Sequence, residues 1–265
     1  MTVDMNNLFL KLTQRGGIVA HFREGALIVG AYFVYLALRR TVGSNIETSA
    51  WQNAERVIAF EQKIGFFWEP SWHQWAIEIS DWVIISFNWI YIVTFFPVVL
   101  TVAFIYYLVD RDKYFYYRSI ILLSFGISLI IFCLFPLAPP RMLGEYGFIN
   151  TFAIYGPTWY SGQEMTGYFN AFAAMPSLHF AWTMIFGVLF FKQGSLLFKG
   201  IGVLYPSLTL LSITITANHY ISDAIAGAIV MLTTYVLYEG LLRYQIPTKV
   251  CLLVASDHVS PGFRK

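Results

Sequence analysis

Six apolar runs punctuate the chain, at residues 25–38, 83–108, 119–137, 178–191, 201–216 and 224–242. A helix that crosses a bilayer needs about 20 mostly apolar residues. Turn or charge signals separate every pair of runs. The pattern therefore predicts an all-α integral membrane domain with six transmembrane helices. The first and fourth runs are short, and flanking aromatic and small residues are expected to extend them into the interface.

Residues 41–81, between the first two runs, follow a different pattern. Glu47, Glu55, Glu61, Glu69, Glu78 and Asp81 alternate with Trp51, Trp68, Trp72 and Trp75, and Trp82 follows. Charges mixed with this many tryptophans suit a layer at headgroup level. One or two interfacial helices are expected, broken near Gly65 and at Glu69-Pro70. They act either as an aromatic belt or as a lateral cover over a lipid-binding groove. Glu61 and Glu69 are candidates for headgroup contact. The organisation expected is a polar segment 1–24, a membrane domain 25–242 with its motifs in 132–242, and a polar tail 243–265.

Composition agrees with this reading. The chain has 265 residues, 57% hydrophobic and only 12% charged, with a mean hydropathy of +0.60. Soluble domains carry about 25% charged residues, so this chain cannot cover itself with a wetted surface. A net charge of +2 gives no argument for a nucleic-acid partner. Residues 1–22 are polar and mixed, with no continuous apolar core of a cleavable signal, so the first apolar run is expected to stay as a helix. Cys133 and Cys251 have neither disulfide-framework nor metal-ligand spacing and read as apolar filler. No internal repeat is present.

Charge also orients the chain. With six spans and the N-terminus inside, the outer segments hold Arg39, Arg40, Arg56, Lys63 and Arg141, and the other basic residues among the 17 lie inside. The positive-inside rule then predicts both termini cytoplasmic. Two polar turns fall outside together: Pro176-Ser177-Leu178-His179, and Asn218-His219-Tyr220-Ile221-Ser222-Asp223.

These turns carry the candidate chemistry. His219 and Asp223 are four residues apart and share a helix face. An Asp that accepts from one imidazole nitrogen fixes the tautomer and leaves the other nitrogen as a nucleophile. The alternative is a structural pair that satisfies two buried polar groups. His179 sits at a helix start where Pro176 fixes the entry and Ser177 can cap. Unpaired N–H groups there favour an anion. Arg141, after a run with three prolines, offers a bidentate contact to phosphate oxygens, or else snorkels. Asn218 is a candidate neutral donor to the same phosphate. His21, His73 and His258 read as ordinary surface residues.

The combination resembles the type 2 phosphatidic acid phosphatase superfamily, whose signature runs K-x6-R-P, P-S-G-H and S-R-x5-H-x3-D. Pro176-Ser177-Leu178-His179 is similar to the second motif, with Leu178 in place of Gly. Ser212, His219 and Asp223 match the third, and Arg141 matches the Arg of the first. The resemblance covers residues 132–242. It implies a superfamily-like helical bundle in which His219 attacks phosphorus and forms a phosphohistidine. Asp223 orients it, His179 protonates the leaving oxygen, and Arg141 holds phosphate oxygens, with no metal and no other cofactor.

Three positions depart from the signature: Leu134 replaces its Lys, Met142 its Pro and Ile213 its Arg. The reduced pattern is similar to the branch of inositol phosphorylceramide synthases and their bacterial relatives. A phosphomonoester carries about two negative charges and a diester about one, so a site that has lost two cations suits the diester. Transfer of a phosphoryl headgroup from a phosphodiester lipid, at the extracytoplasmic face of the cell membrane, is the expected reaction. The competing expectations are a lipid phosphate or polyprenyl diphosphate phosphatase, and a non-catalytic transporter or structural protein on the same fold.

Overall fold

A computed structural model describes residues 17–41, 46–157 and 171–242. The expected segment 1–24 up to residue 16, and the tail 243–265 with Cys251 and His258, lie outside the described residues. The described residues group into two compact units, one up to Leu38 together with those from Tyr235 on, the other Arg39–Thr234. The second unit holds every candidate site residue.

The regular elements described are helical, as the apolar periodicity predicts. They are α1 (Gly17–Thr41), α2 (Ile46–Ile64), α3 (Glu69–Ile79), α4 (Asp81–Thr94), α5 (Phe96–Val109), α6 (Arg111–Leu134), α7 (Thr151–Tyr155), α8 (Leu178–Phe191), α9 (Leu196–Ile215) and α10 (Ile221–Leu237). Short 3-10 turns at Pro140–Met142 and Gly144–Tyr146 follow α6.

Four segments are long and apolar enough to cross a membrane: Asp81–Val109, Arg111–Leu134, Leu196–Ile215 and Ile221–Gly240. The protein is thus an integral membrane protein, and four of the six expected spans correspond to such segments. The other two runs are shorter. In α1, Arg23 and Glu24 on one side and Arg39 and Arg40 on the other bound the uncharged stretch 25–38. Helix α8 has 14 residues, about 21 Å at 1.5 Å per residue, against a hydrocarbon core of about 30 Å.

The run 83–108 is not one straight helix. It breaks at Phe95, whose ψ is −107°, with a proline in the first turn of α5. Pro97 supplies no backbone N–H, so continuity with α4 loses a hydrogen bond. The Thr94 carbonyl at the break accepts the Tyr205 hydroxyl of α9.

Within the segment 41–81, residues 46–79 form two helices, divided at Gly65 in the left-handed region (φ 75°) and restarted at Glu69-Pro70. Ala50, Asn53, Ala54, Val57, Ile58 and Glu61 repeat at three- and four-residue steps and make one buried face of α2. That face packs on Leu137, Ala138, Leu143, Ala217 and Tyr220. Asn53 Nδ2 donates to the Pro136 carbonyl at 2.8 Å, and Ala138 N–H donates to the Ala50 carbonyl at 3.2 Å. The segment is a wall of the core beneath the candidate motifs.

Helices α8 and α9 form an antiparallel hairpin that turns at Gly194. They meet at Gly187 and Gly202. A Cβ on Gly187 would lie 2.7 Å from the Gly202 carbonyl oxygen, and one on Gly202 would lie 2.6 Å from that of Gly187. Small residues at a membrane helix interface allow this approach. The start of α8 and the end of α9 therefore share one end of the hairpin, where both histidines stand. Cys133 is a free thiol on the exposed side of α6.

Candidate active site

Helix α9 ends in a Schellman closure. Ala217 N–H donates to the Thr214 carbonyl and Asn218 N–H to the Ile213 carbonyl, each at 3.0 Å, with Ala217 left-handed at φ 55°. Glycine is the usual residue there, and a non-glycine residue costs of order 1–3 kcal/mol. Full burial of Ala217 and a 2.7 Å bond from Arg141 N–H to its carbonyl hold the conformation. The reversal delivers His219 just before α10 begins.

His219 is fixed by two acceptors. Its Nδ1 lies 2.9 Å from the Ala174 carbonyl and 3.2 Å from Asp223 Oδ2. Both can only accept, so Nδ1 carries the proton and Nε2 the lone pair. Asp223 Oδ2 also accepts Tyr220 N–H at 3.0 Å. Burial above all, and then the Arg141 guanidinium, push the His219 imidazole down to about 3, which keeps it neutral.

The other half begins at the cis Met175-Pro176 bond. Ser177 Oγ accepts Phe180 N–H at 3.3 Å and caps α8. Ser177 N–H donates to the Asp223 carbonyl at 3.0 Å, which ties the two motifs together. Gly227 makes that possible: a Cβ there would sit 2.4 Å from the Ser177 carbonyl oxygen.

His179, second residue of α8, is stacked between two rings. Its centroid lies 4.1 Å from that of Tyr91 and 3.9 Å from that of Phe95. Its Nε2–H donates to the Tyr91 carbonyl at 3.1 Å. The rings of His179 and His219 are 6.4 Å apart, and each residue is only 8% exposed.

Arg141 lies in the first 3-10 turn. Its Nη1 donates to Asn218 Oδ1 at 2.7 Å. Asn218 Nδ2 donates to Thr216 Oγ1 at 2.7 Å and to the Thr216 carbonyl at 3.3 Å. The Asn218 amide protons are thus turned onto Thr216 and its oxygen onto the guanidinium. At the two positions where the wider signature has further cations, Leu134 is 78% exposed and Ile213 is fully buried. Among the described residues, no group of three or more His, Cys, Asp or Glu side chains is arranged to hold a metal.

His73 is a correction to the sequence reading. It is fully buried, not a surface residue. Its Nδ1–H donates to the Ile215 carbonyl at 2.7 Å, and its Nε2 accepts Ile149 N–H at 3.1 Å. Burial lowers its pKa, and the Ile215 bond only partly opposes this. A neutral His73 therefore pins the end of α9 to α3. Glu61 and Glu69 are likewise fully buried, so their carboxyl groups meet the protein's own backbone and not a headgroup. Tyr91, Phe95 and Ala174 touch the two histidines and carried no signal in the sequence pattern.

A membrane-embedded helical protein with two buried histidines, an aspartate and an arginine at one end of a helix hairpin has the parts for chemistry on a phosphate ester. A family model described as the PAP2 superfamily matches residues 55–237, and the chain belongs to that superfamily. Its members are typically phosphatases or phosphotransferases, and membership suggests such activity on lipid phosphates. No curated protein and no solved structure matches the chain significantly.

Proposed function

We propose that this protein cleaves a lipid phosphate ester through a phosphohistidine on His219, and that its favoured reaction transfers a phosphoryl headgroup from a phosphodiester lipid. The observation that carries this reading is the doubly held Nδ1–H of His219. It leaves a neutral Nε2 lone pair within one phosphoryl group's reach of His179, 6.4 Å ring to ring.

In the first step Nε2 attacks phosphorus. A P–N bond forms as the P–O bond to the leaving alcohol breaks, and His179, entering the step as an imidazolium beside the phosphate charge, gives that oxygen its Nδ1 proton and becomes neutral. In the second, water or an alcohol attacks phosphorus, the P–N bond breaks, and the acceptor's proton goes to His179. The Tyr91 carbonyl holds Nε2–H of His179, so Nδ1 is the nitrogen that exchanges this proton. Asp223 fixes the His219 tautomer. Arg141 holds phosphate oxygens, and Asn218 aims the guanidinium while Ser177 shapes the helix start.

Loss of cations at Leu134 and Ile213 favours the singly charged diester. The reduced pattern is similar to that of the inositol phosphorylceramide synthase-like branch. We place the site on the extracytoplasmic face, with both termini inside, on the positive-inside count.

The test supplies purified protein with phosphatidic acid, as a monoester, and with inositol- and glycerol-headgroup diesters. Turnover of diesters, with labelled phosphoryl trapped on His219, is the expected result. Turnover of the monoester alone would establish a phosphatase and end the transfer reading. Single cysteines placed at 145–151 should be labelled from outside intact cells; protection there with labelling at 111–113 reverses the topology.

A further inference from the structure

The two helices that precede the apolar core bring two carboxyl groups to the turn that carries His219. Glu61, on α2, accepts Ser222 N–H through Oε1 at 2.8 Å. Glu69, at the start of α3, accepts Ile221 N–H through Oε1 at 2.7 Å. Ile221 and Ser222 are consecutive residues between His219 and Asp223, in the first turn of α10. Both glutamates are 0% exposed.

Each glutamate keeps a second oxygen, Oε2, buried and without a hydrogen-bond partner among the described residues. Two ionised carboxylates side by side in the dark of a protein repel, and each loses hydration it cannot replace. Their amide donors, Ile221 and Ser222, are neighbours in the chain, so the two carboxyl groups meet one turn side by side. One proton between them removes one charge and gives an acceptor its donor. The remaining negative charge sits at the positive end of α10, where it is favoured.

We propose that Glu61 and Glu69 are positioning residues for the nucleophile, holding one shared proton and clamping the Ile221 and Ser222 amides in the singly ionised form so that His219 stays over Asp223. This rests on the reading of His219 as nucleophile. The clamp acts through backbone alone and touches no substrate. Burial, and then the charge of Glu61, raise Glu69 to about 8; Glu61 is raised as well, chiefly by burial, and Asp223 adds to that. Around the pair stand Asp223 and Tyr220 on the clamped turn and Tyr146 behind it, with Arg141 beside His219. Burial and the charges of Asp223, Glu61 and Glu69 drive the Tyr220 phenol far upward, so Tyr220 stays neutral while the pair ionises. Above about pH 8 a second negative charge develops between α2, α3 and α10 and loosens the clamp.

The experiment compares wild type, Glu61→Gln, Glu69→Gln, Glu69→Ala and the double Gln variant in detergent, with phosphatidylglycerol and phosphatidic acid as probes. Infrared spectra of the protonated-carboxyl stretch are recorded on either side of about pH 8. Wild type should show a carboxyl band that disappears above that pH, and either single Gln variant should lack it. Glu69→Ala should lower kcat on the order of 10- to 100-fold with little change in KM, as a small misplacement of the reacting group does. Glu69→Gln should recover most of that loss, because its amide donates to Glu61 as the shared proton does. It should also remove the fall of kcat above about pH 8. The double variant sets two amide donors face to face and should behave like Ala. A band that survives in either single Gln variant, or a Glu69→Gln variant as impaired as Glu69→Ala, overturns the proposal. The infrared band needs no turnover. An inactive wild type with the expected band would therefore count against the phosphohistidine reading, whereas an active wild type without it would count against the clamp.

Discussion

The two histidines have equal exposure but different surroundings. His179 lies between the rings of Tyr91 and Phe95 and meets one carbonyl. His219 meets a carbonyl and a carboxylate, with a guanidinium one residue away in the Asn218 contact. An imidazole between aromatic faces is oriented by shape, and with one nitrogen held by a carbonyl it has the other left over for a proton. An imidazole pinned at Nδ1 by an aspartate has one tautomer and one usable lone pair. The first setting suits a proton carrier, the second a nucleophile.

The largest expected effect comes from removing that lone pair. His219→Ala should lower turnover of any lipid substrate by roughly 10⁴-fold, with no labelled phosphoryl bound to the protein after acid-free quenching. If the variant still carries label, the nucleophile is elsewhere and the comparison fails at its centre.

His179→Ala should cost about 10²- to 10⁴-fold with a lipid alcohol as leaving group. With a nitrophenyl ester, whose leaving oxygen needs no proton, most of that loss should vanish. Equal losses on both substrates would make the two histidines indistinguishable in role.

Gly227→Ala probes the tie between the two halves. The new methyl falls 2.4 Å from the Ser177 carbonyl oxygen, a backbone atom that cannot move aside cheaply. Overpacking of this kind should destabilise by about 1–3 kcal/mol, read as a lower midpoint of thermal unfolding. Gly200→Ala, on the same hairpin with nothing within 4 Å of its Cβ, should be neutral or stabilise by less than about 1 kcal/mol.

The smallest effect is one of pH. Glu69 has its pKa raised on folding from 4.5 to about 8. Its protonated form is thus favoured by the folded state. That contribution to stability is full below 4.5 and is lost as pH rises through about 8. Wild type should lose stability across this window, and Glu69→Gln should show a flatter dependence in the same unfolding assay.

The sequence made some of this legible and not the rest, for a physical reason. Apolar runs and capping residues are local, so the helices and their ends at Ser177 and Gly65 could be read directly. The break at Phe95 was hidden because Pro97 sits inside an unbroken apolar run, and a proline is tolerated in a first helical turn. Pairing of His219 with Asp223 follows from a four-residue step. Its bond to Ala174 spans 45 residues, and the bond of His179 to Tyr91 spans 88; no periodicity encodes either. Acid beside tryptophan suggests headgroup contact for Glu61 and Glu69, whereas both carboxyl groups are buried on the His219 turn. Their acceptors' partners lie 161 and 152 residues away. What marked Glu61 was its place on the small-residue face of α2, one turn beyond Val57 and Ile58.

The glycine seam between α8 and α9 makes the hairpin behave as a pair of tongs with its pivot well away from the tips. Gly187 stands eight residues from His179, about 12 Å along the helix. A single methyl group at the pivot would splay the arms and widen the gap between the two imidazoles without touching either. Natural variation there should therefore be confined to glycine, although the seam lies about 12 Å from the imidazole it positions.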